Sequence, residues 1–270
     1  MNTAIFAREL RLNLTLFLAW TGTIVGMTFV VLAMMPLILG SSEQLKGFFT
    51  STPASFLKGF SMDLSTLFDP LAYYASYSML YTVLLGGIFS ASLTARCLHR
   101  EQAERTGEYL LVRPVSRGAV FASKAAACFA LVLGLNLLVF ATAAAGFALF
   151  TPKGSTWSPG PLVAVSLYGL LFTLGMAGIG LLVSALARRA RSLTGPAVGI
   201  VLFFYLVDMV SKITEKYGAV GWVSPFKWVD VGVTRAGYGV SWWRVALFAG
   251  LIVLTVAPAA AAWRRKDILA

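Results

Sequence analysis

Six stretches of this chain are apolar over about 20 residues or more, the length a helix needs to cross a hydrocarbon core of about 30 Å. They run over 16–39, 73–95, 122–150, 162–187, 193–210 and 243–263. In lipid no water is at hand for an unpaired backbone N–H or C=O, so such a run must close its own hydrogen bonds as a helix. The expected class is an all-α integral membrane protein with about six transmembrane helices. Between the runs lie polar or Gly/Pro/Ser-rich connections such as 151–159, with no short-period repeat and no stretch that reads as a soluble domain. The whole of 1–270 therefore reads as one transmembrane domain. Arg8 and Arg11 precede a first run too long for a signal-peptide core, with no small-residue cleavage site after it.

Composition excludes the alternatives. Residues of the AVILMFWYC set make up 58% of the chain and charged residues 12%, against about 45–50% and about 25% in ordinary globular domains. A chain with so little charge cannot cover its own core with polar surface. Disorder is excluded on the same ground. Only Cys97 and Cys128 are available for bridging, which rules out a disulfide scaffold.

The formal charge is +11, from 22 Lys and Arg against 11 Asp and Glu. In a soluble protein this would suggest nucleic acid. Here the cations flank apolar runs instead of forming one stripe, so the partner they suit is anionic lipid, and no nucleic-acid partner is expected. Fourteen of the 22 fall on one side: Arg8, Arg11, Arg96, Arg100, Arg105, Arg113, Arg117, Lys124, Arg188, Arg189, Arg191, Arg264, Arg265 and Lys266. The other eight, Lys46, Lys58, Lys153, Lys212, Lys216, Lys227, Arg235 and Arg244, are spread over longer connections. The positive-inside rule then puts both termini in the cytoplasm.

The cytoplasmic connection between the second and third runs carries the densest pattern. Glu101, Glu104 and Glu108 stand at i, i+3 and i+7, one acidic stripe on a helix, and Tyr109, Leu110 and Leu111 follow as an apolar knob beyond Gly107. Pro114 then stops regular helix. Two readings stay open on residue chemistry alone: a loop shaped to be gripped by another protein, or a solvated face whose Leu pair dips into the interface.

The string Glu104-Arg-Thr-Gly-Glu-Tyr-Leu-Leu-Val-Arg-Pro-Val-Ser-Arg117 resembles, from Thr106 on, the T-x-E-x-L-L-x-x-P-V-S-R pattern of ABC-2-type transporter permeases, and Lys124 also fits it. Val223-Ser-Pro-Phe226 and the basic tail Arg264-Arg-Lys-Asp-Ile268 are weaker echoes. The resemblance implies the membrane subunit of an ATP-binding-cassette exporter in the inner (cytoplasmic) membrane of a bacterial cell. It implies a short cytoplasmic coupling helix between spans two and three, docked on a separate ATPase. By position the docking candidates are Glu101, Glu104, Thr106, Glu108, Tyr109, Leu110, Pro114 and Arg117. The partners implied are two ATPase subunits and a second permease subunit, homodimer or heterodimer, facing this one through spans one and five. The chain has no Gly-Lys dipeptide, so it contains no P-loop. No cofactor is expected on it; ATP and Mg belong to the partner ATPase, and the chain itself is expected to be no enzyme.

Gly22-x-x-x-Gly26 and Gly195-x-x-x-Gly199 have the spacing that lets helices approach closely. They suit packing inside the chain or a face for the second subunit. Gly175, Gly178 and Gly180 suit close packing or a hinge. Asp208 is the one acid within an apolar run and has Lys212 at i+4; it reads as a local ion pair or as a substrate or coupling residue. The latter would suit a self-contained secondary transporter or a membrane scaffold, the alternative to the permease. His99 with two distant Cys makes no zinc site, and no Ser-His-Asp set or paired carboxylates are recognisable. Trp222, Trp228, Trp242 and Trp243 read as an outer interfacial belt, and their grouping with Pro225 suggests a last external connection that folds back onto the membrane. The external segment 40–70 reads as an interfacial amphipathic helix or a lid.

Overall fold

The computed structural model describes residues 2–41, 69–98, 116–152, 157–187, 192–214, 218–235 and 237–265. Six helices long and apolar enough to cross a membrane follow one another: α1 (Thr3–Gly40), α2 (Pro70–Cys97), α3 (Arg117–Phe150), α4 (Pro159–Leu186), α5 (Thr194–Ile213) and α6 (Trp242–Arg265). Among the described residues there is no strand, as the class requires. Most of the 40–70 segment and the connection over 99–115 lie outside the described residues.

Helix boundaries differ from the apolar runs where caps, not hydropathy, set them. α1 starts at Thr3 because the Asn2 side chain accepts from the Ala4 and Ile5 N–H groups. α3 starts at Arg117, capped by the Ser116 hydroxyl, which accepts from Ala119 N–H. α2 opens with Asp69 accepting from Leu71 and Ala72, and with Pro70 in its first turn, where the missing N–H costs nothing. It then passes through a π-helical turn, Tyr74–Ser78, before running on as α-helix.

α2 and α4 form the centre. In their most apolar windows 71% and 61% of residues are buried, against 22% in α1 and α5 and 17% in α6. The most extensive contacts are α2 with α4, α1 with α3, and α4 with α6. Missing side chains make the central contact close. A Cβ on Gly180 would fall on the Ala91 carbonyl oxygen and the Thr94 hydroxyl, and one on Gly87 would come within 2.8 Å of the Phe172 ring. Gly175 and Gly178 do the same for α4 against α6, where Leu251 and Thr255 press in. Lipid supplies no hydrophobic drive between helices, so van der Waals contact at such small residues carries the association.

The inside of the bundle is mostly apolar with polar side chains set among it, and the outside is apolar too. α1 buries Glu9, Asn13, Thr21 and Thr28 while exposing Leu14, Leu18, Phe29, Val30 and Leu37. Several buried hydroxyls donate to the carbonyl one turn back: Ser90 to Gly86 at 2.6 Å, Thr94 to Ser90 at 2.9 Å and Thr173 to Gly169 at 3.0 Å. Each thus satisfies itself within its own helix and needs no water.

Candidate functional site

The base of the bundle is where α2 ends, α3 begins and the 99–115 segment leaves and returns. Glu101, Glu104, Thr106, Glu108, Tyr109, Leu110 and Pro114, with the expected coupling helix, lie outside the described residues. Arg117 is described: it is the exposed first residue of α3, and its carbonyl accepts from Trp263 Nε1 at 3.2 Å. At the other end of the segment Leu98 is fully buried among Phe121 and Ala125 of α3, Leu181 and Ala185 of α4, and Ala259 and Trp263 of α6. Both stalks of the segment are therefore set in a packed floor.

The same floor holds a buried ion pair. Lys124, counted among the fourteen cations of one side, lies about two turns into α3, and its side chain is 1% exposed. Its Nζ stands 3.0 Å from Glu9 Oε1, itself 2% exposed, and donates to the Cys97 carbonyl at 2.9 Å. Asn13 Nδ2 donates to the Glu9 carbonyl at 2.8 Å, and Asn2 N–H donates to the Ser123 hydroxyl at 2.7 Å. The start of α1, the end of α2 and the start of α3 are thus tied at one point. Sequence reasoning passed over Glu9 because it precedes the first apolar run. The signal available was its i, i+4 spacing to Asn13, which prolongs the polar face of α1. Cys97 and Cys128 sit beside this point, both unbridged, buried and in one cluster with Ile24 and Phe89.

The two glycine pairs occupy the outside of the bundle. Gly22, Gly26, Gly195 and Gly199 are exposed, and a Cβ built on any of them meets nothing within 4 Å. Among the described residues they make no close helix contact, unlike Gly87, Gly175, Gly178 and Gly180, so the reading of these pairs as packing inside the chain is corrected there. A glycine with open space beside it leaves a shallow groove in the helix surface, which lipid or another helix can fill.

At the opposite end Asp208 is buried on α5, with Oδ2 2.5 Å from Lys212 Nζ one turn on. This is the local ion pair. Oδ1 has no hydrogen-bond partner among the described residues. Asp208 also lines a cavity of about 40 Å³ with Ser76, Met79, Tyr205 and Phe226, between the π-turn of α2, α5 and the last connection. That connection folds back into the bundle. Two short 3₁₀ turns, Val220–Val223 and Pro225–Trp228, seat Phe226 between Phe172 of α4 and Tyr205 of α5, with ring centroids at 4.5 and 5.6 Å. Ser224 Oγ donates to the Phe204 carbonyl at 2.7 Å. Trp228 packs on Phe248, while Trp222, Trp242 and Trp243 stay exposed as a belt residue should.

Asp230 fastens the rest of the connection. Its carboxylate pairs with Arg235 and, at 3.3 Å, with Arg244 of α6, and its carbonyl accepts from the Tyr238 hydroxyl at 2.5 Å. Burial, reinforced by the Asp230 charge, holds the Tyr238 hydroxyl well above the usual tyrosine range, so it stays a donor. From below, the Tyr168 hydroxyl of α4 accepts from Ser241 N–H at 2.7 Å and donates to the Gly239 carbonyl at 3.3 Å. Among the described residues no three His, Cys, Asp or Glu side chains gather as a metal site.

A family model described as ABC-2 family transporter protein matches residues 4–268 of the chain. No curated protein matches it.

Proposed function

The chain belongs to the ABC-2 family of transporter proteins, and on that premise we propose that it is the permease subunit of an exporter driven by a separate ABC ATPase. The observation that carries this reading is the family match over nearly the whole of a six-helix membrane chain that has no P-loop of its own. The chain forms the path and the partner supplies ATP hydrolysis, with ATP and Mg bound there. The 96–117 connection, whose 99–115 part lies outside the described residues, is the docking element. Glu101, Glu104 and Glu108 give it charge, Thr106, Tyr109, Leu110 and Pro114 give it shape, and Arg117 stands at its return. The floor around Leu98 and Trp263 supports this role, because a lever must be seated firmly to transmit a push. Two ATPases close on ATP, and the paired loops shift helices of two permease subunits against each other. The open faces of Gly22, Gly26, Gly195 and Gly199 suit the contact between those subunits. Both termini and the 99–115 segment lie in the cytoplasm, and the membrane is the inner membrane of a bacterial cell.

The test is co-purification from detergent-solubilised membranes with an ATPase identified by its own P-loop peptide, and Mg-ATP turnover of the complex. Glu104→Lys with Glu108→Lys should abolish capture and stimulated turnover while membrane insertion stays intact. Each charge-assisted hydrogen bond that these carboxylates make to the ATPase is worth about 1.5–3 kcal/mol. Unchanged capture and turnover in the double variant would remove the docking assignment. A wild-type chain that captures no ABC ATPase would remove the energised-permease reading itself.

A further inference from the structure

We propose that Glu9 and Lys124 are positioning residues that join the base of the 99–115 segment to the amino-terminal end of α1, so that a displacement of that segment is delivered to α1. The proposal rests on the reading of that segment as the ATPase-docking element, and it gives the docking element an output: the helix that carries Gly22 and Gly26.

Three facts carry it. The pair links distant parts of the chain, and its lysine also donates to the Cys97 carbonyl in the last turn of α2, one residue before the buried Leu98. One ammonium group thus holds the outgoing stalk, the returning helix and α1 together. Second, the pair is a poor choice for stability alone. A buried ion pair costs desolvation that well-packed apolar side chains of similar volume avoid, and here Glu9 Oε2 has no hydrogen-bond partner among the described residues. What the pair supplies instead is register, since a charged contact fixes distance and direction where apolar contacts in a lipid-bounded bundle let helices slide or turn. Third, the first turns of α1 are tied to α3 through polar contacts at both ends of the stretch, Asn2 to Ser123 and Glu9 to Lys124.

The alternative is that the pair merely holds the fold. Lys124→Met alone leaves Glu9 charged and buried, so it is expected to lower the unfolding midpoint and cannot separate the two roles. Glu9→Leu with Lys124→Met removes both charges and keeps the volume, so the double variant should melt close to wild type. Spin labels on cysteines placed at the exposed positions Arg8 and Ala122 then read the distance between α1 and α3 in the detergent-purified full chain. If the pair is the joint, the distance distribution is narrow in wild type and broad in the double variant despite its normal melting. In the complex with its ATPase, Mg-ATP turnover of the double variant falls to the rate of the isolated ATPase although capture persists. A distribution as narrow as wild type, or turnover stimulated as in wild type, overturns the proposal. Failure of the wild-type chain to capture any ABC ATPase would instead overturn the docking reading, and the label distance would still decide whether the pair fixes α1.

Discussion

Glycine at single positions separates two kinds of helix contact in this protein. At Gly180 any side chain must displace backbone, because its Cβ would strike the Ala91 carbonyl at the centre of the α2–α4 contact. Gly180→Leu is therefore expected to cost more than the about 1–3 kcal/mol of ordinary overpacking, seen as a loss of monodisperse material in detergent size-exclusion chromatography. Gly178→Leu should behave similarly, since its Cβ meets Thr255 of α6. Gly22→Leu and Gly199→Leu face open space and should leave the folded yield unchanged. If these faces pair two subunits, the same two variants weaken crosslinking between differently tagged copies. Normal crosslinking in both would assign the subunit contact to other helices. The two pairs with G-x-x-x-G spacing are the open ones, and Gly175, Gly178 and Gly180, which lack it, are closed; spacing does not sort these glycines, and only the position of neighbouring helices does.

At the scale of elements, the connection from 218 to 241 behaves as a plug and not as a free loop. Phe226 enters between α4 and α5, and Asp230 ties the chain to Arg244 at the head of α6. Asp230→Ala removes a charge-assisted hydrogen bond worth about 1.5–3 kcal/mol, so amide hydrogen exchange over the connection should rise about tenfold or more. Unchanged exchange would mean that the aromatic contacts alone hold it. Tyr238 adds a pH dependence of known sign. Its raised folded-state value means that its contribution is fully present below the unfolded tyrosine value of about 10 and is lost as pH rises further. Tyr238→Phe should remove that alkaline loss in a melting series, and an identical series in the variant would show that the hydroxyl plays no part. Pro225 and the grouped tryptophans made a folded-back connection legible in the sequence. Its anchor at Asp230 was not, because an acid in a connection looks solvated until the two arginines that face it are placed.

For the whole molecule, charge predicts the orientation. Fourteen cations on one side against eight on the other predict that a cysteine placed at Ser42 or Ser155 is labelled from outside intact cells and one at Ser116 is not. Labelling at Ser116 would invert the topology. The sequence by itself determined the class and the number of spans, because hydropathy over 20 residues is a local property and lipid permits little besides helix at that length. It also carried the family, through a contiguous motif. Which helices are central and which glycines are closed was decided by the tertiary structure. So was the place of Lys124, one of the counted cations, as one half of a buried pair with Glu9. Each of these depends on what stands opposite a side chain. A run of residues records its own polarity but not its partner, and in a bundle whose exterior is as apolar as its interior, polarity alone does not say which face turns inward.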